Sequence, residues 1–266
     1  MELLGYFASV FMGLSLGMIG GGGSILTVPI LVYLFGINPV LATAYSLFIV
    51  GLTALVGGFS YLKRGEVDLK TGITFAVPSF IGVYMTRAFI VPSLPDPVFA
   101  VGGAVVSKPL LIMAVFAVLM VAASISMIRS KKSAGGGNRF SGSAKVALIG
   151  TEGLVVGTVT GFVGAGGGFL IIPALVLLVG LPMKIAVGTS LFIIAAKSLI
   201  GFVGDIQQQA QMDWGLLLTV SAIAIGGLFL GVLLAKKTPE AILKKGFGYF
   251  VLAMGIFILI DQVQKL

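Results

Sequence analysis

The sequence predicts an all-α polytopic membrane protein made of two inverted repeats, each a glycine-broken re-entrant helical hairpin plus three transmembrane helices. Three observations predict it. Apolar residues make up 58% of the 266 positions and charged residues 10%, against roughly 45–50% and about 25% in soluble domains. The mean hydropathy is +1.16, more apolar surface than a soluble fold of this length can hide. Two apolar segments are too long for one crossing and are broken by glycine runs, and the two halves of the chain match each other.

Apolar segments run over 3–36, 40–61, 70–90, 98–128, 146–180, 184–204, 214–235 and 246–262. About 20 residues span the hydrocarbon core, so six of the eight fit one crossing each. Segment 98–128 is long and is expected to begin with a surface turn near Lys108-Pro109. The first and fifth hold Gly20-Gly21-Gly22-Gly23 and Gly164-Ala165-Gly166-Gly167-Gly168. Each glycine costs a helix roughly 1 kcal/mol relative to alanine, so each segment reads as two helical pieces joined by irregular backbone. The opening MELLGYFASV lacks a basic signal-peptide region, and the first apolar stretch is read as part of the mature protein.

Sliding the chain by 144 residues aligns 13–60 with 157–204 without a gap, and 18 of those 48 positions are identical. The matches include Gly20/Gly164, Pro29/Pro173, Gly36/Gly180 and Ser46-Leu47-Phe48-Ile49 against Ser190-Leu191-Phe192-Ile193. Beyond position 60 the match needs a one-residue shift and fades. The reading is one membrane domain over 1–266: repeat 1 over 1–128, a basic linker over 129–145 and repeat 2 over 146–266.

Charge decides the orientation. Lys+Arg exceed Asp+Glu by 17 − 9 = 8, an excess that here reports topology rather than nucleic-acid binding. If segments one and five each enter and return, the halves have opposite sense. Loops 61–70 (Lys63, Arg64, Lys70), 129–145 (Arg129, Lys131, Lys132, Arg139, Lys145) and 236–245 (Lys236, Lys237, Lys244, Lys245) then all lie inside. Both termini and the acidic loops 90–97 and 204–213 lie outside. If both segments cross once, loop 236–245 lies outside, against the positive-inside tendency. The chain is therefore expected in the cytoplasmic membrane with both termini outside.

Irregular backbone at membrane depth survives only inside protein or beside a wet cavity. The glycine runs are thus expected to meet near the midplane. The helix starts at Ser24 and Gly168 would aim N–H groups and positive dipole ends at a small anion. Candidate binding residues are Gly20, Gly21, Gly22, Gly23, Ser24, Gly164, Ala165, Gly166, Gly167 and Gly168. The duplicated Ser46 and Ser190 and the adjacent Thr189 add hydroxyl donors, with Thr43 and Tyr45 of the same capacity. Lys197, two helical turns beyond Ser190, is read as a counter-charge for the anion or as a snorkelling end residue. Glu152 is read as a carrier of a coupling proton or as the partner of a loop cation; Arg87 and Lys108 are read as interfacial anchors. With no Cys or His, disulfides, thiolate chemistry and His relays are excluded; no metal or cofactor is expected, nor nucleic acid. The glycine runs follow apolar helices rather than strands, so a dinucleotide fold is not supported.

The paired motifs IGGGGSILTVPIL and VGAGGGFLIIPALV resemble the TauE/SafE family of sulfite exporters, as do ATAYSLFIVGLTALVGGFSYLKRGEVD and AVGTSLFIIAAKSLIGFVGDIQQQAQMD. The resemblance covers nearly the whole chain. It implies a secondary transporter, not an enzyme, that moves sulfite, sulfoacetate or a related organosulfonate outward. The family's glycine loops map onto Gly20 to Ser24 and Gly164 to Gly168. A related thiosulfate-uptake group relies on cysteines, which this chain lacks. The readings left beside it are an anion channel, an uptake carrier for another oxyanion, and a non-transporting subunit or intramembrane enzyme. The expected partners are a small anion and the bilayer, with homo-oligomerisation left open.

Overall fold

A computed structural model describes residues 2–101, 104–129, 143–164, 166–177, 179–206, 212–235 and 240–264. The protein is an all-α polytopic membrane protein, and six helices among the described residues are long and apolar enough to span a bilayer. Most of the linker 129–145, and Ala165, lie outside the described residues.

Helix α1 (Glu2–Ile19) stops at Gly20, whose φ of +76° is open to glycine and strained for other residues. After the break α2 (Ser24–Pro29) begins and passes into a π-helical turn, Ile30–Leu34, just behind Pro29. The chain folds back on itself: Thr27 Oγ1 donates to Met12 Sδ at 2.8 Å, and the Phe35 ring meets Tyr6 at 5.2 Å between centroids. This is a helical hairpin broken at the first glycine run, as the sequence predicts.

Helix α3 (Pro39–Lys63) starts at an Asn38 cap with proline in its first turn, and α4 (Leu69–Met85) starts at an Asp68 cap. A π-helical turn, Thr86–Ile90, and the short α5 (Val91–Ser93) prolong α4 until Pro92 interrupts the N–H ladder. Strands β1 (Phe99–Val101) and β2 (Ala104–Val106) form a small antiparallel ladder before α6 (Lys108–Arg129). The expected surface turn is thus a β-ladder, and the helix begins at Lys108.

The second half has the same order: α7 (Ser143–Val163), a glycine break, α8 (Gly168–Leu177), α9 (Met183–Ile206), α10 (Trp214–Ala235) and α11 (Glu240–Gln264). The correspondence reaches single bonds. Gly20 N–H donates to Leu16 O at 2.7 Å, and Gly164 N–H to Thr160 O at 2.8 Å. Ile37 N–H donates to Leu31 O, and Leu181 N–H to Leu175 O, both at 3.0 Å. Gly164 has a φ of +74°, against +76° at Gly20.

Helices pack across the halves. α1 lies on α10, α7 on α4, α3 on α9 and α6 on α11. α3 and α9 run antiparallel: Gly51 faces Leu199, Gly58 faces Phe192 and Gly188 faces Tyr61. Small residues allow the close crossings. β-carbons on Gly13 and Gly157 would strike the backbones of Ala224 and Ser79. The outer surface is apolar. Leu69, Ile73, Val77, Ile81, Met85 and Phe89 point outward every fourth residue, while Thr71, Ser79, Thr86 and Arg87 point inward. That inverts the soluble pattern and suits a lipid solvent.

Gly13→Leu should overpack the α1–α10 crossing and destabilise the fold by about 1–3 kcal/mol or more. Gly226→Ala, with open space at its β-carbon, should be tolerated. Thermal unfolding of both variants in detergent checks this; equal melting temperatures would refute the close-crossing argument.

Candidate functional site

The two glycine breaks touch. A β-carbon on Gly21 would collide with the backbone of Gly168, and one on Gly166 would lie 2.6 Å from Val50 Cγ1 and 3.2 Å from Ser24 Cβ. Val50 and Ile194, which line Gly166, sit near the middles of α3 and α9. Gly20 to Ser24, Gly164 and Gly166 to Gly168 are all buried. The loops are therefore enclosed by protein, as their depth requires.

Each break leans on the opposite half. Gly20 packs on Val187 of α9, and Gly164 packs on the equivalent residue of α3, Thr43. The hydroxyl of Ser190 lies 3.2 Å from Gly20 O and 2.8 Å from Val187 O. Its counterpart Ser46 is fully buried, and its hydroxyl has no hydrogen-bond partner among the described residues. Ser24 donates to Gly21 O at 2.8 Å, so its proton serves the loop itself.

Lys197 comes to the second break. It is 1% exposed, and its Nζ donates to Thr160 Oγ1 at 2.6 Å. A β-carbon on Gly167 would sit 2.6 Å from the same Nζ. Among the described residues no carboxylate pairs with it. The snorkelling alternative does not describe this side chain, whose ammonium ends inside the protein. An ammonium carries three donors, and one hydroxyl occupies only one of them.

Thr189 is not at the loops. Its Oγ1 accepts the N–H of Asp68 at 2.9 Å, at the start of α4. Tyr45, the equivalent residue, accepts the N–H of Asp213 at 2.6 Å, at the start of α10. Both residues fasten a helix start of one half to a helix of the other. Glu152 is half-buried on α7, with Oε2 buried and unpartnered. It lies 12 residues before Gly164 on the chain, about 18 Å along a helix, so the structure does not bring it to the loops.

Arg87 is the residue that the sequence reading missed. It is expected as an interfacial anchor; instead it is 1% exposed. Its Nη1 donates to Thr43 Oγ1 at 2.9 Å and lies 3.5 Å from Asp205 Oδ1. Thr43 is the residue against which Gly164 packs, so Arg87 stands one side chain behind the second break. The π-helical turn Thr86–Ile90 holds Arg87 on the inner face. Asp205, expected in the acidic loop 204–213, is instead a buried residue near the end of α9, because it pairs with Arg87. Lys108, the other expected anchor, caps its own loop, with Nζ 3.4 Å from Leu94 O.

Broken helical hairpins that touch inside a multi-span bundle, with a buried cation at one of them, are a frame that membrane transporters use. The chain belongs to the sulfite exporter TauE/SafE family, whose sequence model matches residues 6–258. Its relatives are transporters rather than enzymes by name. A probable membrane transporter protein of Xylella fastidiosa is 28% identical over 251 residues, covering 93% of this chain and 90% of that protein. A probable membrane transporter protein of Bacillus subtilis, YunE, is 32% identical over 209 residues, covering 73% of this chain and 76% of that one. No solved structure matches the chain.

Lys197→Met should leave the melting temperature unchanged or higher, because a buried charge without a carboxylate partner is removed. Thermal unfolding in detergent measures this; a sharp fall in the melting temperature would make Lys197 a structural residue.

Proposed function

We propose that this protein is a secondary carrier that exports a small sulfur oxyanion, sulfite or an organosulfonate such as sulfoacetate, across the cytoplasmic membrane. The observation that carries the reading is Lys197, a buried ammonium beside the second glycine loop, where the two loops touch one residue away, with no carboxylate on it among the described residues. Uncompensated cations at membrane depth are expensive and rarely idle. A diffusible anion is the natural partner, because it supplies the missing charge only when bound. The family description, sulfite exporter, supports the substrate class.

The carrier works by alternating access of two inverted repeats, 1–128 and 146–266. The antiparallel run of α3 against α9 and the exchange of neighbours between halves support opposite orientation of the repeats. In this reading loops 61–70, 129–145 and 236–245 lie inside and both termini outside. Movement of one hairpin relative to the other opens the loops to each face in turn. The inside-negative potential drives an anion outward by about 2.3 kcal/mol per charge per 100 mV, so export needs no coupled ion.

Purified protein in liposomes should show saturable counterflow of radiolabelled sulfite, and Gly21→Val or Gly166→Leu should reduce it at least tenfold while the protein stays monodisperse. Undiminished flux in both variants would remove the loops from the pathway, and unsaturable conductance would replace the carrier with a channel. For orientation, Glu2→Cys and Gln264→Cys should react with an impermeant maleimide added outside intact cells. Labelling only after permeabilisation would overturn the inverted arrangement.

A further inference from the structure

The Arg87 guanidinium is half used. Its Nη1 serves Thr43 and Asp205. Its Nε and Nη2 are buried and have no hydrogen-bond partner among the described residues. These two nitrogens form one edge of the guanidinium, and their N–H bonds point the same way. That edge is the donor pair that matches two oxygens of a single oxyanion. A buried donor left unmade is costly, and here two stand side by side on a charged group.

The surroundings set direction. Thr43, which holds Nη1, is also the residue on which Gly164 packs, so the open edge belongs to the second break. Further unpartnered buried polar atoms lie on the elements around it, among them Ser46 Oγ on α3, one turn from Thr43, and Ser198 Oγ and Asp205 Oδ2 on α9. Lys197 precedes Asp205 by eight residues on α9, about 12 Å along the helix. The two buried cations therefore stand at different depths on the second break.

We propose that the Nε–Nη2 edge of Arg87 is a second docking point for the oxyanion, lying on the pathway between the Lys197 position and the end of α9. The proposal rests on the reading of the protein as an anion carrier. The edge selects ligands that present two oxygens, such as sulfite, sulfonates and carboxylates, over a spherical halide. Asp205 has two effects. Its Oδ1 lies near Nη1 and steadies the guanidinium, while its like charge weakens the hold on the anion. A stop that binds and releases readily is what a pathway needs, since a deep well would trap the cargo.

Trp214, the single tryptophan, packs on Phe202 at 6.0 Å between ring centroids, and Phe202 is three residues from Asp205 on α9. Its fluorescence is thus a local reporter. In the full-length protein in detergent, sulfoacetate should change Trp214 emission saturably, and chloride at equal ionic strength should not. Arg87→Lys keeps the charge but loses the planar edge, and should weaken the sulfoacetate response at least tenfold. The paired Arg87→Gln/Asp205→Asn variant removes both charges of this pair and so strands neither, and should lose the response while remaining monodisperse. Wild-type affinity in either folded variant would overturn the proposal. If those variants also exchange sulfoacetate normally in liposomes, Arg87 falls and the carrier reading stands. If the wild-type protein neither binds nor exchanges sulfoacetate or sulfite, both fall.

Discussion

Backbone polar groups cannot face lipid unpaired, and that constraint governs this molecule. A chain broken at Gly20 and again at Gly164 has amides and carbonyls that no helix satisfies. The break must be walled by protein. The walls are α3 and α9, and the small residues along them let backbone approach backbone. Gly51, Gly58 and Gly188 bring α3 and α9 together, while Gly13 and Gly157 admit α10 and α4 to the helices that carry the breaks. The glycine content that looks permissive in the sequence is spent on enclosure as much as on the breaks themselves.

Enclosure explains why the halves exchange partners. A hairpin alone would expose its own broken end. α1 lies on α10 and α7 lies on α4, so each hairpin is covered by the other half. The pins are local and paired. Thr189 holds the N–H of Asp68, and Tyr45 holds the N–H of Asp213. These bonds tie the start of each outer helix to the opposite half. A rearrangement that frees one hairpin must therefore pass through the cross-half contacts, which is where coupling between two faces of a carrier would reside.

Much of this was legible in the sequence, and the limits have physical reasons. Spans and breaks follow from one-dimensional quantities, length and glycine density, so α3, α9 and the hairpin beginning at α1 fall where composition puts them. Depth was only half legible: the place of Lys197 in its span suited a buried counter-charge and a snorkelling end residue alike, and the bond to Thr160 shows its ammonium ending inside. Orientation about a helix axis is harder in an apolar segment, because lipid-facing and protein-facing residues are both hydrophobic. Arg87 illustrates this. Its place near the end of a span suits an interfacial anchor, and only the π-helical turn and the neighbouring Asp205 reveal that it points inward. Thr189 shows the opposite error. Its position beside Ser190 suggested a shared task, but adjacent helical residues point about 100° apart, and it faces the start of α4 instead.

The frame is nearly symmetric, and the chemistry is not. Leu16 and Val187 flank the first break, and their equivalents at the second are Thr160 and Thr43; Lys197 has Thr53 at its equivalent position. Arg87 has Gly231 and Val232 at the corresponding positions of α10, and Asp205 has Tyr61. A carrier built from two alike halves needs like mechanics in both, since each must open its own face. It needs only one binding site, since the cargo is shared between faces. Leu16 and Val187 at the first break carry no charge, while both buried cations stand by the second. The division of labour follows from cost: a buried cation is expensive wherever it stands, and a second set would add that cost without adding a second cargo.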